Sequence, residues 1–230
     1  MKPRFSFCIP TFNKEAYIAD CMRSLQKQKI KDWEAIVVDD GSTDDTELVM
    51  KYFTDKDKRI KYFKRKENKG IAITRNEAIS HAKGEWIAVQ DSDDYSYPNR
   101  LEVVDKAMKQ VKADIYYTDI DWISVSGEQV MEVWTAKPVT AKYLKKDQIV
   151  THGTVVAKKS VFKKIPYRDK QKMNDDMWWI LDCFKAGYKF HPIRESTMVY
   201  RINQSSVSKI HFKEIQKDCK KARLEVMGWK

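Results

Sequence analysis

Short apolar segments alternate with segments of helical periodicity along the first half of the chain. The apolar runs predict four strands, at Arg4–Ile9, Trp33–Asp39, Ile60–Phe63 and Trp86–Gln90. The periodicity between and after them predicts helices at about Glu15–Gln28, Asp44–Phe53, Ile71–Ala82 and Pro98–Gln110. This alternation is typical of a mostly parallel sheet covered by helices, so we expect an α/β fold.

The second half of the chain follows a looser pattern. After a strand at Asp114–Tyr117, residues 118–172 hold short strand-like pieces and one short helix near Val139–Lys145. Helical periodicity returns at Asp175–Ala186 and at about His211–Val226, where the second helix is basic and amphipathic. Neither repeats nor a low-complexity linker interrupt the sequence, so we expect the whole chain to form one domain.

Composition excludes several classes of protein. The four cysteines form no CxxC pair and no set spaced with histidine, which argues against a zinc site or a disulfide framework. No run of about 18 apolar residues is present, so the sequence predicts no membrane span. Because the sequence begins Met1-Lys2-Pro3-Arg4 and passes directly into a strand, it predicts no signal peptide, and we expect a cytoplasmic protein.

Positive charge is unevenly distributed along the chain. The formal net charge is +11, and residues 137–172 hold eleven Lys or Arg residues against two acids, Asp147 and Asp169. A solvated lysine-rich surface is one explanation. Attraction to a polyanion is the other, and an anionic membrane, a nucleic acid and an acidic glycan all remain open.

An acidic cluster follows the fourth predicted strand. Alternate residues of an extended chain point the same way, so Asp91 and Asp93 are expected to project together while Asp94 points away. Ligands of open parallel sheets bind beyond the carboxyl ends of the strands, and hard carboxylates there suit Mg²⁺ or Mn²⁺. An acidic turn that caps a helix is the structural alternative.

Two further features point to a nucleotide at the same edge of the sheet. Asp39 and Asp40 end the second strand, where a carboxylate can accept hydrogen bonds from a base or a ribose. The loop after the first strand has no glycine, so the phosphate-binding loops of dinucleotide and P-loop proteins are missing. Phosphate would then be held by a metal and side chains, and Arg75 is a candidate for the latter.

Four motifs lie in a fixed order over about the first hundred residues. They are Ile-Pro-Thr-Phe-Asn at 9–13, Val-Val-Asp-Asp-Gly-Ser-Thr-Asp at 37–44, Asn-Lys-Gly at 68–70 with Thr-Arg-Asn-Glu-Ala at 74–78, and Gln-Asp-Ser-Asp-Asp at 90–94. In this order and spacing they resemble the motifs of the family 2 glycosyltransferases, which have the GT-A fold. The resemblance implies a Rossmann-like, mostly parallel sheet flanked by helices, with a smaller acceptor-side half and a C-terminal helix. In a single domain over 1–230, residues 1–117 would bind a nucleotide sugar and residues 118–230 an acceptor.

The resemblance implies a donor site at the ends of the strands. Asp39 would contact the base, Arg75 the diphosphate, and Asp93 a Mn²⁺ or Mg²⁺ ion as its direct ligand. Asp91 would lie against the ribose and the water shell of the metal. The other donor-binding residues would be Pro10, Thr11, Phe12, Glu15 and Ser92.

The resemblance also implies a catalytic base in the second half. Asn174-Asp175-Asp176, followed by Ala186-Gly187, looks like the Glu-Asp segment of the family, with Asp175 in place of the usual Glu. Asp176 then falls at the position of the base in inverting members. The structural alternative is that both acids simply stabilise a helix N-terminus, whose dipole also lowers the basicity of a carboxylate.

Four more residues are candidates for the acceptor side. Trp178 and Trp179 would stack against an acceptor sugar and form the floor of its site, although one of them is expected in the core. His152 is a candidate pocket residue, with an ordinary loop histidine as the alternative. Arg201 belongs to a segment in which family members often carry His two residues later, where this chain has Asn203, so no role of that His is carried over.

Together these residues predict an inverting transfer of a sugar, by a single displacement, from a nucleotide diphosphate donor such as a UDP-sugar to a hydroxyl group. The acceptor is expected to be a glycan or a lipid-linked sugar, which the basic half would approach at the inner face of an anionic membrane. A nucleic-acid acceptor is the alternative for that surface. A nucleotidyltransferase and a non-catalytic glycan- or nucleic-acid-binding module also stay open, and the sequence predicts no oligomeric state.

Overall fold

Four parallel strands form the first part of a β-sheet in a computed structural model of the protein. They are β1 (Phe5–Thr11), β2 (Trp33–Asp39), β3 (Ile60–Lys64) and β4 (Trp86–Val89), in the order β3-β2-β1-β4. The structure describes residues 2–123, 130–146, 150–170, 174–201 and 211–229. β1 and β2 are buried along their whole lengths because helices cover both faces of the sheet. The parallel α/β arrangement predicted from the apolar pattern is therefore confirmed.

Helices cover the two faces of this sheet with separate apolar cores. The connecting helices are α1 (Ile18–Gln26), α2 (Thr46–Lys56) and α3 (Ile71–His81), and α4 (Arg100–Gln110) follows the last parallel strand. Side chains alternate along a strand, so Phe7 and Ile9 of β1 belong to the core that α1 and α4 share. Cys8 belongs to the opposite core, with α3.

The second half of the chain extends the same sheet. Its strands are β6 (Ile115–Ile123), β7 (Val130–Trp134), β8 (Val156–Lys158) and β9 (Phe190–Arg201), and β5 (Tyr95–Ser96) precedes them. From β4 the order continues β8-β6-β9-β5, and β7 pairs with β6. β5 lies early in the chain yet pairs with β9, so both halves of the chain build one sheet.

The later helices lie over the second half of the sheet. They are α5 (Ala141–Leu144), α6 (Lys159–Lys164), α7 (Asp175–Lys185) and the C-terminal α8 (Phe212–Met227). α8 packs against α7, where the indole N–H of Trp178 donates to Asp218 Oδ2 at 2.8 Å. The predicted C-terminal amphipathic helix is confirmed. No helix among the described residues has the length and apolar character that a membrane span requires.

Pro10 lies where β1 and β4 separate. Their pairing ends at Cys8 and Val89, and the Gln90 N–H still donates to the Cys8 carbonyl at 3.2 Å. Backbone groups two residues apart in a strand face the same neighbouring strand, so the Pro10 nitrogen faces β4 as the Cys8 carbonyl does. Proline, however, has no N–H to donate. The ladder therefore stops there, and a crevice opens beyond the carboxyl ends of the two strands.

Candidate active site

The acidic residues after β4 lie in a tight turn rather than in an extended strand. The Asp94 N–H donates to the Asp91 carbonyl at 3.3 Å. The prediction that Asp94 points away from Asp91 and Asp93 is therefore wrong, because it assumed strand alternation. The Oδ2 atoms of Asp91 and Asp94 both lie close to Gly153, 3.2 and 3.9 Å from where a Cβ on that glycine would be. Ser92 is buried within the same turn.

Asp94 is the buried member of this acidic cluster. Its side chain accepts a hydrogen bond from the Arg201 N–H at 3.1 Å. Burial, together with the charges of Asp93 and Asp91, raises the pKa of Asp94 well above its usual range. The side chains of Asp91 and Asp93 are still 30% and 22% exposed. Two carboxylates of the cluster therefore remain accessible to a cation.

Lys14 reaches the acidic cluster from the loop after β1. Its Nζ lies 2.7 Å from Asp93 Oδ2. The Lys14 N–H also donates to Thr46 Oγ1 at 2.9 Å, which fixes this part of the loop against the start of α2. A positively charged group therefore lies at the carboxylate that the family resemblance assigns to the metal.

The acidic cluster fits a Mg²⁺ or Mn²⁺ ion that its substrate helps to hold. Among the described residues, no group of three His, Cys, Asp or Glu side chains is arranged as a metal site. A single carboxylate is enough, however, when phosphate oxygens and water complete the shell of a hard cation. The Lys14 ammonium beside Asp93 indicates that positive charge is accommodated at this point. Asp93 would hold the ion, with Asp91 beside it.

Arg75 on α3 is buried between two carboxylates from distant parts of the chain. Its Nη2 lies 3.0 Å from Asp91 Oδ1, and its Nη1 lies 2.5 Å from Asp175 Oδ2. Burial opposes its positive charge, but Asp175 and Asp91 outweigh this effect and raise the pKa of Arg75 further. Its Nε has no hydrogen-bond partner among the described residues. The guanidinium thus joins the acidic cluster to the start of α7.

An aromatic layer lies behind Arg75. Its guanidinium carbon is 5.6 Å from the centre of the Tyr167 ring, and the Tyr167 hydroxyl lies 2.7 Å from His152 Nε2. Burial, together with the charge of Arg75, lowers the pKa of the His152 imidazole well below its usual value. His152 is therefore a buried neutral residue that supports Arg75 from behind and does not line an open pocket.

Asp39 and Thr11 lie side by side at the ends of β2 and β1. Asp39 Oδ1 accepts from the Ser42 N–H at 2.7 Å, and Oδ2 accepts from the Tyr62 hydroxyl. Thr11 Oγ1 is buried and has no partner among the described residues. Because buried hydroxyls are nearly always paired, this one fits a hydrogen bond to a ligand. The Asp39 carboxylate is fully buried and accepts on both oxygens, so its contact with a base or a ribose stays a prediction.

Glu15 fastens the loop after β1 to the start of α2. The Glu15 N–H donates to Asp44 Oδ2 at 3.0 Å, and the Asp45 N–H donates to Glu15 Oε2 at 2.7 Å. This carboxylate is therefore engaged by the protein, although the resemblance implies that it lies near the nucleoside. Phe12, from the same loop, is 42% exposed and leaves its ring free for contact.

The first turn of α7 carries both acids of the candidate base segment. Asn174 precedes the helix in the left-handed region, with φ of 59°. Asp175 is buried against Arg75, whereas Asp176 is half-buried. The charge of Asp176 also contributes to the raised pKa of Arg75. Asp176 is thus the more accessible acid, within electrostatic reach of the guanidinium.

Trp178 and Trp179 are both buried in the core. Their exposed fractions are 0% and 1%, and the indole N–H of Trp179 donates to the Ile165 carbonyl at 3.0 Å. A stacking platform needs an exposed ring face, and neither indole offers one. The prediction that they floor an acceptor sugar is therefore wrong, because this part of α7 is covered by α6 and α8.

Arg201, at the end of β9, extends toward α1. Its Nη2 is 2.7 Å from Asp20 Oδ2, and its guanidinium carbon lies 5.6 Å and 5.2 Å from the ring centres of Tyr17 and Tyr95. The end of β9 brings it there, next to the buried Asp94. Its acceptor-side role stays a prediction, and Asn203, two residues later, lies outside the described residues.

Arg100 was not predicted as part of the site, yet it lies beneath the acidic cluster. Its fully buried guanidinium donates to the Val89 carbonyl at 2.7 Å and to the Gly153 carbonyl at 2.9 Å. Lys14 was missed as well. Single basic residues on loops and helices normally face solvent, so only the three-dimensional arrangement reveals these two.

Comparison with known proteins relates the chain to glycosyltransferases. The model of glycosyl transferase family 2 matches residues 6–190. An uncharacterized glycosyltransferase of Methanocaldococcus jannaschii is 31% identical over 207 residues, which cover 87% of this chain and 71% of that protein. The putative teichuronic acid biosynthesis glycosyltransferase TuaG of Bacillus subtilis is 28% identical over 217 residues, covering 94% and 86%.

Solved structures share the fold at lower identity. S. aureus TarS in complex with UDP has a TM-score of 0.73 and 24% identity, over 97% of this chain and 66% of that one. The mannosyltransferase PcManGT from Pyrobaculum calidifontis, in complex with GDP-Man and Mn²⁺, has a TM-score of 0.69 and 17% identity, over 93% and 61%. This chain thus spans about two thirds of each solved chain. Because the family model covers most of the chain and a relative above 30% identity agrees, the protein belongs to the family 2 glycosyltransferases.

Proposed function

We propose that the protein transfers a sugar, with inversion, from a UDP-sugar to a hydroxyl group of a glycan or lipid-linked acceptor. The observation that carries this proposal is the convergence of the acidic cluster, Arg75 and the first turn of α7 at one edge of the sheet. In this proposal Asp93 and Arg75 bind the diphosphate, and Asp176 faces the acceptor hydroxyl. Arg75 links the two because it contacts Asp91 and Asp175 at once.

The proposed reaction is a single displacement at the anomeric carbon. Asp176 takes the proton of the acceptor hydroxyl group while the oxygen of that hydroxyl group forms a bond to the anomeric carbon. The bond from the carbon to the diphosphate oxygen breaks on the opposite face, so the configuration inverts and the nucleoside diphosphate leaves. When bound at Asp93, Mn²⁺ or Mg²⁺ supplies Lewis-acid stabilisation of the departing charge. Arg75, which stays positively charged between its two carboxylates, would supply a second positive charge.

The choice of donor and acceptor class draws on related proteins. TarS has been crystallised with UDP and with UDP-GlcNAc, and PcManGT with GDP-Man and Mn²⁺, which supports a nucleotide-sugar donor. The name of TuaG refers to teichuronic acid biosynthesis, which supports a glycan as acceptor.

Two isosteric variants test the assigned roles. Asp176→Asn is expected to lower turnover by about 10³-fold, in the range of general-base loss, and to leave UDP binding within about twofold. Asp93→Asn is expected to abolish transfer and to remove the Mn²⁺-dependent part of UDP binding. Transfer is followed by release of UDP over a panel of UDP-, GDP- and dTDP-sugars, and binding is followed by calorimetry with and without Mn²⁺.

The exposed Asp55 on α2 provides the matched control, since Asp55→Asn makes the same change in charge away from the site. Near-normal turnover of Asp176→Asn would show that another group is the base. Failure of the native protein to bind any nucleotide sugar with Mn²⁺ would instead favour the non-catalytic module. Release of pyrophosphate from a nucleoside triphosphate would favour a nucleotidyltransferase.

A further inference from the structure

The outer face of α8 combines lysines with an exposed leucine. At about 100° per residue, the buried residues Cys219, Ala222 and Val226 fall on one line of the helix, and Leu224 falls on the opposite side. Leu224 is 53% exposed. Three exposed lysines lie within about 40° of it by the same geometry. They are Lys213, Lys217 and Lys220, and with Leu224 they form what we term the α8 outer face.

Acidic residues are kept off the α8 outer face. Asp218 turns toward α7, where its carboxylate accepts from the Trp178 indole. Glu214 and Glu225 lie on one flank of the helix. Lys221 lies between that flank and the outer face, and its Nζ is 3.8 Å from Glu225 Oε1. Lys213 and Leu224 are eleven residues apart in the helix, a span of about 16 Å. Along that span the α8 outer face carries three positive charges and no negative one.

A second basic element lies beside α8. The Arg223 guanidinium Nε donates to the Leu144 carbonyl of α5 at 2.7 Å, which fastens the two helices together. Tyr143 on α5 is 37% exposed, and Lys145 Nζ lies 5.4 Å from the centre of the Trp229 ring. The surface therefore continues from the α8 outer face onto α5 and the two residues after it, which add the exposed Lys142, Lys145 and Lys146.

The mixture of lysines with Leu224 and Tyr143 distinguishes between polyanions. A nucleic acid binds a basic surface chiefly through its phosphates, and a single exposed aliphatic side chain adds little to that attraction. A bilayer that contains anionic lipid attracts the lysines and also provides an apolar layer just below its headgroups. Tyrosine is likewise favoured at that boundary, where its ring is apolar and its hydroxyl stays hydrated.

We propose that the α8 outer face and α5 form a docking surface for an anionic lipid bilayer. α8 contacts α7 through Asp218, which also accepts from the Asn174 amide at 3.3 Å, directly before the acidic turn of that helix. Docking would therefore set the first turn of α7 at a fixed distance from the membrane. The proposal depends only on this surface and stands whether or not the transfer reaction assigned above is correct.

Vesicle co-sedimentation of the full chain tests the proposal. We expect binding to vesicles with about 30% phosphatidylglycerol, no binding to pure phosphatidylcholine, and a loss of binding as salt increases. Each lysine near an anionic surface contributes about fivefold to partitioning, so replacing Lys213, Lys217 and Lys220 with Gln should weaken it about 100-fold. Leu224→Ser should weaken it about tenfold, since it removes the apolar contact.

The matched control replaces Lys51, Lys58 and Lys61 with Gln on the exposed edge near β3, which gives the same change in net charge. Circular dichroism checks that every variant is folded. Equal loss of binding in this control would overturn the proposal, because the attraction would then come from overall charge. An unchanged Leu224→Ser, combined with equal competition by a single-stranded DNA, would also overturn it in favour of a nucleic-acid surface.

Discussion

His152 shows how a single buried residue links the site to the core. Its Nε2 is paired with the Tyr167 hydroxyl at 2.7 Å, and its Nδ1 has no hydrogen-bond partner among the described residues. Charging the ring would bring a second positive group into the interior beside Arg75, and burial alone already opposes that charge. The folded protein therefore keeps this imidazole neutral at a pH where an exposed histidine would be charged.

This arrangement predicts that stability falls with acidity below about pH 6.5, the ordinary value for histidine. Below that pH the unfolded chain binds a proton at this histidine, whereas the folded chain does not. The free energy of unfolding therefore keeps its full value above about pH 6.5 and decreases as the pH falls below it. The slope from one such group is at most about 1.4 kcal/mol per pH unit. Urea unfolding of the native protein and of His152→Gln between pH 8 and pH 5.5 measures the difference.

Tyr167→Phe is the control for this prediction. It removes the hydroxyl partner, at a cost of about 1 kcal/mol, but keeps the buried imidazole and therefore the pH dependence. If the native protein and His152→Gln lost stability in parallel as the pH fell, the buried imidazole would not be the cause.

The residues at the ends of strands were the predictable ones. Asp39, Asp91 and Asp93 follow long apolar runs, and such runs fix both the strand and the edge of the sheet at which it ends. Lys14 and Arg100 could not be found in this way, because their roles depend on contacts 79 and 10 residues away. Asp94 was misplaced because the turn after β4 does not keep the alternation of the strand.

At the scale of elements, the Arg75–Asp175 pair is the main polar link between α3 and α7 that the described residues provide in the core. The two residues are 100 positions apart, and their side chains are 7% and 4% exposed. A charge buried this deeply is tolerated only while its partners are present. The same pair therefore holds the candidate base segment in place and keeps Arg75 beside the acidic cluster.

Asp175→Asn is predicted to lower the free energy of unfolding by about 3 kcal/mol, because the guanidinium stays buried with Asp91 as its remaining charged contact. Denaturant unfolding measures this value. The control is Glu102→Gln, which breaks the exposed pair of Lys29 and Glu102 and should cost less than about 1 kcal/mol. Similar small costs for both variants would mean that the buried pair does not hold the two helices together.

The sequence predicted the strands that have a strong apolar pattern, and it missed elements in which apolar and polar residues are mixed. The predicted strand at Trp33–Asp39 agrees with β2 at both ends. β9 was missed because most of Phe190–Arg201 is only partly buried and its sequence contains Pro192. In α7, burial on nearly all sides removes the helical period that would have identified both tryptophans as core.

At the scale of the whole molecule, the division into a donor half and an acceptor half is not a division of the fold. β8 of the second half pairs with β4 of the first, and β9 pairs with β5. One apolar core contains Cys8, Ile36 and Val38 together with Trp178 and Trp179. Residues 1–117 therefore depend on the rest of the chain for part of the cover of one sheet face, beside their own α3.

The shared sheet predicts that the protein unfolds as one cooperative unit. Residues 1–117 alone would expose the edge of β4 and the sheet face that α6, α7 and α8 cover, so this fragment should bind a hydrophobic dye and show no sharp urea transition. In the full chain, far-UV circular dichroism and hydrogen exchange in β1 and β6 should report the same free energy of unfolding. A fragment 1–117 that unfolds cooperatively, or a full chain in which β6 exchanges well before β1, would show two independent units. Since the candidate base and the acidic cluster come from opposite halves, a single unit is also what keeps them together during turnover.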